Sequence, residues 1–479
     1  MAPSPTGPLH IGTVRTALFN YLYAKHVGGT YILRIEDTDK TRSTTAFEEE
    51  IVSGLSLLGL KPDEGVGVGG KFGPYKQSER VELYKEYLEK LLGSGHAYYC
   101  YCSKEELEEE RKRREAAKLP PRYSGKCREL GAAEGEKLNK EGRSPVIRFK
   151  TPQTGEVVYE DLIRGKVTVQ AKELDDFVIA KNLDEALYNF SVVIDDITME
   201  ITHVIRGEDH VPNTAKQVLI YQALGAAVPQ FAHLPLILNE DRSKMSKRKN
   251  KVAVNDYLEQ GYLPEALINF LAMLGWNPGD DREILTMDEL VKDFSLERVQ
   301  KAGAVFNLKK LDWVNCQWIR KLNLAELAEK VKPFLKDSKW FKADERLEKF
   351  LQVIQTRLEK LAQAPEFLQC FYELPEYEKT LLIGKGMDEQ MAQLALTESL
   401  KLIQELADWK GLEYTATEKL LKAKFTALIE KLNLKTGQVL WPVRAALSGQ
   451  SFSPGAFEMI WALGKEESLK RIDTALGKF

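Results

Sequence analysis

Apolar side chains fall in short runs along the first two thirds of the chain: TYILRIED (30–37), PVIRFK (145–150), KVTVQ (166–170), FVIAK (177–181), NFSVVIDD (189–196), HVIRG (203–207) and PLILN (235–239). Runs of this length, rich in Val, Ile and Phe, predict β-strands, and the longer stretches between them read as helices. Strands alternating with helices argue an α/β fold with inserts. Beyond residue 320 the pattern changes. LAELAEKVKPFL, RLEKFLQVIQTRLEKLAQ, MAQLALTESLKLIQELADW and TEKLLKAKFTALIEKLNL carry apolar residues at three- and four-residue spacing, which predicts an all-helical last third. No repeat of fixed period and no low-complexity tract interrupts either part.

Residues 14–26 (VRTALFNYLYAKH) set Val14, Ala17, Leu18, Tyr21 and Leu22 on one helical face, and Gly28-Gly29 stops that helix before the strand at 30–37. Ahead of it, MAPSPTGPLHIGT crowds proline, glycine, Ser4, Thr6 and His10 into a tight loop. A helix that opens from such a loop offers free N–H groups and a positive dipole end to an anion such as phosphate. A plain turn fits as well, with Ser4 or Thr6 bonding its own backbone and His10 capping or packing.

Composition narrows the class. At 479 residues, 43% hydrophobic and 29% charged, the chain reads as an ordinary globular protein of several domains. No apolar run nears the ~20 residues a membrane helix needs, and the N-terminus lacks the basic-then-apolar pattern of a signal peptide. A cytoplasmic location is expected. The five cysteines, Cys100, Cys102, Cys127, Cys316 and Cys370, are an odd number in a long chain, which argues for reduced thiols or a metal over a disulfide framework. The net charge of −3 does not mark a nucleic-acid binder, but ERKRR (110–114) and RSKMSKRKNK (242–251) concentrate cations locally. In the second run Lys244, Lys247 and Arg248 surround Ser246. Such a run reads as a solvated loop, or as a clamp that neutralises a triphosphate and its leaving pyrophosphate.

SPTGPLHIGT together with KMSKR resembles the paired HIGH and KMSKS signatures of class I aminoacyl-tRNA synthetases. RIEDTD (34–39) and VIRGEDH (204–210) narrow the resemblance to the glutamyl-tRNA synthetase family of bacterial or organellar type. GPYKQSER (73–80), AYYCYC (97–102), KAGAVFNLKKLDWVN (301–315) and LWPVRAALSG (440–449) follow in the family's order, so the resemblance spans the chain. It implies ligation of L-glutamate, through glutamyl-adenylate, to the 3′-terminal adenosine of tRNA-Glu, with ATP and Mg²⁺. Charging of tRNA-Gln as well is left open, and a monomer is implied.

By the same resemblance His10, Lys244, Lys247 and Arg248 would be the catalytic residues. His10 would bond ATP phosphate, and Lys247 would stabilise the pentavalent phosphate and pyrophosphate. ATP would be held by Pro3, Thr6, Gly7, His10, Gly12, Thr13, Met245, Ser246 and Lys247. Glutamate would be held by Ser4, Glu36, Tyr188, Arg206 and His210. The chemistry agrees in kind, since an arginine fork suits a carboxylate and a glutamate side chain suits an ammonium. Read without the resemblance, Glu36 is a surface carboxylate and Tyr188 a core aromatic. Cys100, Cys102 and Cys127 match a zinc set of some family members, with Glu129 where those have histidine; free thiols fit equally. Arg357 and Arg444, near Lys435, Gln438 and Trp441, are candidates for anticodon contact, although a solvent-facing arginine reads as well at 357. Cys316 and Cys370 read as apolar fillers.

The implied fold is α/β: a Rossmann-type parallel-sheet catalytic domain, an inserted α/β acceptor-binding domain and a C-terminal all-α anticodon-binding region. The expected boundaries are 1–98 and 188–240 for the two catalytic halves, 99–187 for the insert, 241–318 for the KMSKR loop and stem-contact domain, and 319–380 and 381–479 for two helical subdomains. Two stretches depart from the family. NLDEALYNF (182–190) lacks a Gly/Pro turn before Tyr188, and only Met1 precedes APSPTG where relatives carry the rest of a first strand and an arginine. The second departure leads us to expect a truncated chain, with a catalytically impaired tRNA-binding protein as the alternative. A tRNA-Asp-modifying paralogue lacks the helical third and is disfavoured.

Overall fold

A computed structural model describes residues 1–39, 41–120, 122–245, 253–409 and 411–479. Two compact units emerge, residues 1–257 with 264–308, and residues 258–263 with 309–479.

The first unit is α/β. Its first helix, Ile11–His26, buries Ile11, Val14, Ala17, Leu18, Phe19 and Leu22, the stripe expected with Phe19 added and Tyr21 at its edge. Strand Ile32–Leu33 pairs in parallel with Glu64–Gly65. Gly65 sits at φ +141°, and a Cβ there would meet the Leu33 carbonyl oxygen at 2.1 Å, so only glycine allows the two strands to close. Residues 1–3 run along the same strand: the Arg34 N–H donates to the Met1 carbonyl (3.1 Å) and the Glu36 N–H to that of Pro3 (3.0 Å).

A four-stranded sheet carries the rest of the site. Its order is Gly165–Gln170, Glu156–Asp161, Gln230–Leu234, His203–Gly207. The first two strands form an antiparallel hairpin, and the others pair in parallel. The parallel register sets His233 opposite Arg206 and Phe231 opposite Asp161. A second, antiparallel sheet contains Ala97–Cys100, Val146–Phe149, Val178–Asn182 and Glu185–Ala186. Phe149, Ile179, Phe190, Tyr221 and Phe231 share one buried cluster.

One predicted strand is a helix. NFSVVIDD lies within helix Tyr188–Thr198, where Phe190 to Asp196 are all buried. A run buried on every side keeps no polar face, so periodicity cannot separate strand from helix there. PLILN reduces to a strand of two residues, Ile237–Leu238, paired in parallel with Ala304–Val305.

Helices make up the second unit, including Leu324–Leu335, Glu389–Glu405, Tyr414–Leu432, Thr436–Ser448 and Ala456–Leu476. RLEKFLQVIQTRLEKLAQ is shorter than its spacing predicts. The helix Arg346–Ile354 gives way to short 3₁₀ turns at 355–357 and 361–363, and Pro365 stands at the start of the next helix, Ala364–Tyr372. Proline at that position suits a first turn and disfavours helix before it. Phe350 stacks on Phe371 with centroids 4.8 Å apart. The buried Arg471 donates to the Cys370 and Leu447 carbonyls at 2.5 and 2.6 Å, tying helix ends together.

Candidate active site

A cleft of about 800 Å³ in the first unit is lined by the opening loop, the first helix and the ends of the parallel strands. Pro3, Ser4, Gly7, His10, Gly12 and Thr13 line it. Thr6 does not, and its N–H closes a turn onto the Ser4 carbonyl at 2.9 Å. His10 is the N-cap of Ile11–His26, its Nδ1 accepting the Gly12 N–H at 2.9 Å. A Cβ on residue 12 would stand 3.1 Å from that nitrogen, so glycine keeps the ring and backbone close.

Lys244 and Met245 line the same cleft. Lys244 bridges to Leu238 and its Nζ lies 3.9 Å from Asp209. Ser246, Lys247 and Arg248 lie outside the described residues. After them, Ala253 bridges to His10, and the Val254 N–H donates to the Leu9 carbonyl at 3.0 Å. The segment that follows the second signature therefore meets the first, and Lys244 and Met245 ahead of it face the same cleft.

Glu36, Tyr188, Arg206 and His210 come together on the other side of the cleft, with Ser4 at its rim. Burial raises the Glu36 carboxyl to about 7 against the opposing pull of Arg34. Burial also lifts the Tyr188 hydroxyl to about 12, and together with Arg206 it lowers His210. Tyr188 shares a 2.9 Å hydrogen bond with His210 Nδ1. Opposite charges thus face one cleft, the set of groups that an amphoteric small molecule requires.

Behind these residues lies a layer that sequence reasoning missed. Arg34, quoted only as part of RIEDTD, lines the cleft, is ion-paired with Asp196 and lies 3.6 Å from Glu36 and 3.8 Å from Asp195. Tyr221 holds the other oxygen of Asp196 at 2.9 Å. Arg206 donates through Nη2 to Thr214 and Gln217, both at 2.7 Å, and through Nε to His233 at 3.3 Å. His233 in turn contacts Asp161 at 2.5 Å. The two aspartates at 195 and 196 end the run misread as a strand. Nothing in the local sequence singles out Asp161 or His233.

The cysteine cluster is a separate feature of this unit. The sulfurs of Cys100, Cys102 and Cys127 all lie within 4.8 Å of one another, close to the spacing of about 3.8 Å that Zn–S bonds of ~2.3 Å give in a tetrahedron. Glu129 does not join them. Its exposed carboxylate pairs with Lys150 at 3.1 Å, because water and a lysine solvate it better than a buried thiol site would. The fourth neighbour is Tyr123, whose hydroxyl is 3.3 Å from Cys100 and 3.7 Å from Cys102. Burial pushes the Cys102 thiol up to about 12. Burial has the same tendency at Cys100, but hydrogen bonding with Tyr123, the Cys102 backbone and Arg148 holds its thiol below the ordinary value.

In the second unit Arg357 is ion-paired with Glu458 at 2.7 Å. Arg444 stacks over Trp441 (4.6 Å) and donates to Ser453 Oγ and the Ser451 carbonyl at 3.0 and 2.9 Å. Gln438 donates to the Gly386 carbonyl at 2.9 Å. Among the described residues no helix is long and apolar enough to cross a membrane.

Residues 1–313 match the family described as tRNA synthetases class I (E and Q), catalytic domain, and residues 326–476 match the anticodon binding domain. The chain is 45% identical over 477 residues to the glutamate–tRNA ligase of Carboxydothermus hydrogenoformans, covering 98% of both chains. It is 44% identical over 492 residues to that of Symbiobacterium thermophilum, again covering 98% of each. A crystal structure of a glutamate tRNA ligase from Elizabethkingia meningosepticum, in complex with its amino acid, superposes with a TM-score of 0.87 at 36% identity, covering 99% of this chain and 98% of that one.

Proposed function

The chain belongs to the class I glutamate–tRNA ligase family, and from that premise we propose that its cleft activates L-glutamate with ATP and passes it to tRNA-Glu. The single observation that carries this reading is the convergence of His10 at a helix N-terminus with Glu36 and Arg206 in one cleft. The impaired tRNA-binding alternative finds no support among these relatives.

In the first step a substrate carboxylate oxygen attacks the α-phosphorus of ATP, and pyrophosphate leaves. The attacking group is already an anion, so the protein supplies orientation and charge rather than a base. His10, with its hydrogen on Nε2, donates to phosphate. Lys244, Lys247 and Arg248 neutralise the pyrophosphate. Pro3, Gly7, Gly12, Thr13, Met245 and Ser246 complete the nucleotide site, Thr6 serves only to close the opening loop, and Mg²⁺ would be held by phosphate oxygens. Arg206 and Tyr188 receive a carboxylate of glutamate, Glu36 its ammonium, and Ser4 and His210 the rim. In the second step a ribose hydroxyl of the terminal adenosine attacks the activated carbonyl, and AMP leaves.

Around this centre we assign residues 1–98 and 188–240 to the catalytic halves, 99–187 to acceptor-stem binding, 241–318 to the signature loop and stem contact, and 319–380 and 381–479 to anticodon binding through Arg357 and Arg444. Cys100, Cys102 and Cys127, with the Tyr123 oxygen, would hold a structural zinc. A cytoplasmic monomer is the assembly we assign. The decisive experiment is ATP–pyrophosphate exchange with glutamate in the presence of tRNA-Glu, with tRNA-Gln as a parallel arm. Exchange that needs glutamate and tRNA-Glu supports the reading, and its absence at saturating glutamate overturns it.

A further inference from the structure

Arg206 is 9% exposed, and the side chains behind it fix where each of its hydrogens goes. An arginine Nε always carries hydrogen, so His233 Nε2, 3.3 Å from Arg206 Nε, must accept. Thr214 Oγ lies 2.9 Å from the same Nε2 and 2.7 Å from Arg206 Nη2. It accepts from the guanidinium, and because Nε2 already accepts from Arg206 it donates to the imidazole, with the His210 carbonyl as a second, longer acceptor at 3.2 Å. The imidazole hydrogen is then on Nδ1, which donates to Asp161 Oδ2 at 2.5 Å. Asp161 is itself held by three backbone donors: its Oδ1 accepts the Ile163 and Arg164 N–H groups at 3.0 and 2.8 Å, and its Oδ2 accepts that of His233 at 3.1 Å. Both side chains are fully buried, and Phe231 stacks beside the ring with centroids 6.1 Å apart.

The direction of each hydrogen bond from Arg206 to Asp161 follows from the arginine Nε–H. Gln217 takes the second Nη2 hydrogen at 2.7 Å and is held by Asn189 at 3.1 Å. Nε and Nη2 are thereby committed to the protein. Nη1, whose neighbour is the Tyr188 hydroxyl at 3.5 Å, is left toward the cleft. We propose that Asp161 and His233 are positioning residues that set the substrate-carboxylate affinity of Arg206: Asp161 selects the Nδ1–H tautomer of His233, and that tautomer holds the guanidinium in one orientation. This rests on the assignment of Arg206 to glutamate. Burial and the adjacent Arg206 both keep the imidazole neutral, which an acceptor requires.

Asp161→Asn tests the tautomer directly. An amide donor in place of Oδ2 moves the ring hydrogen to Nε2, where it meets the Arg206 Nε–H donor to donor. The expected result is a KM for glutamate raised about 10-fold or more, the usual scale for losing an orienting partner, with KM for ATP and for tRNA unchanged and a smaller change in kcat. Loss of folded protein alone would scale the rate and leave the glutamate KM where it was. Arg206→Ala is run beside it. If that variant keeps the parental glutamate KM, the glutamate assignment fails; if it raises KM and Asp161→Asn does not, the relay is overturned. Should Asp161→Asn not fold, ¹⁵N spectra of ring-labelled histidine in the parent decide the matter. The resonance lost in His233→Gln is expected to be the neutral Nδ1–H form at neutral pH, and an Nε2–H form or an imidazolium overturns the proposal.

Discussion

The Gly12 N–H donates to His10 Nδ1 at 2.9 Å, so the histidine caps the very helix it precedes and its ring hydrogen is confined to Nε2. A structural cap and a phosphate donor are thus two ends of one imidazole.

His10→Asn keeps an N-cap acceptor and loses the Nε2 donor, whereas His10→Ala loses both. Replacing a capping side chain by alanine costs about 1 kcal/mol, so only His10→Ala is expected to melt earlier. Both variants should lose pyrophosphate exchange, by about 10² to 10³ if the donor stabilises the transition state. Full exchange activity in His10→Asn would refute the phosphate role.

Glu36 holds its proton to about pH 7 in the folded chain, against an ordinary value of 4.5. Between those values the folded state binds more protons than the unfolded one, so this group's contribution to stability falls as pH rises through the window. Glu36→Gln should flatten that slope in urea midpoints measured against pH. Binding runs the other way, because only the ionised carboxylate pairs with an ammonium. The KM for glutamate is expected to rise as pH falls below about 7, and an unaltered profile in Glu36→Gln would count against the ammonium assignment.

Asp196 balances Arg34 deep beside the cleft. A buried charge left with no partner costs about 3 to 5 kcal/mol; Arg34 would keep Asp195 at 3.8 Å and Glu36 at 3.6 Å, so the loss of its nearest partner is expected to cost less than that. Asp196→Ala should lower the denaturant midpoint accordingly and raise the KM for glutamate as Arg34 shifts relative to Glu36. A loss below about 1 kcal/mol, the scale of a surface bridge, would mean that Asp195 and Glu36 balance Arg34 without Asp196.

The cysteine cluster predicts about one zinc per chain after purification, measured by elemental analysis. Cys100→Ser should abolish it and lower the melting temperature, as should strong chelators. Tyr123→Phe keeps three thiolates and should weaken retention of the metal, while Glu129→Ala should leave it unchanged. Metal content in the parent no higher than in Cys100→Ser would reduce the cluster to thiols.

Arg357 is engaged by Glu458 in the free chain. If it reads tRNA, Arg357→Gln costs about 1 to 3 kcal/mol in tRNA affinity without changing the KM for ATP. Glu458→Gln, which releases the guanidinium, should then bind tRNA no more weakly than the parent. Equal filter-binding affinities for Arg357→Gln and the parent would remove Arg357 from the interface.

Local pattern carried far in this protein. The spacing of Val14, Leu18 and Leu22 and the Gly28-Gly29 stop define the first helix, and PVIRFK, KVTVQ, FVIAK and HVIRG are strands. The three- and four-residue spacing beyond residue 320 defines the helical tail. The tail helices and KVTVQ are legible because one face of each stays polar, the other strands because short β-branched and aromatic runs are bounded by turn residues, and the two signature loops because their residue types carry the chemistry themselves. Where burial closes in from all sides, that information is lost: NFSVVIDD gives the same apolar run as strand or helix, and only packing chose helix. Partners far apart in the chain were equally out of reach. Asp161 meets His233 across 72 residues because parallel register aligns their strands, and Tyr123 reaches the thiols where Glu129 does not. The chain's own sequence determined which side chains could bind phosphate and carboxylate. Tertiary structure alone decided which buried neighbours orient them, since hydrogen-bond direction and sheet register are properties of the assembled fold.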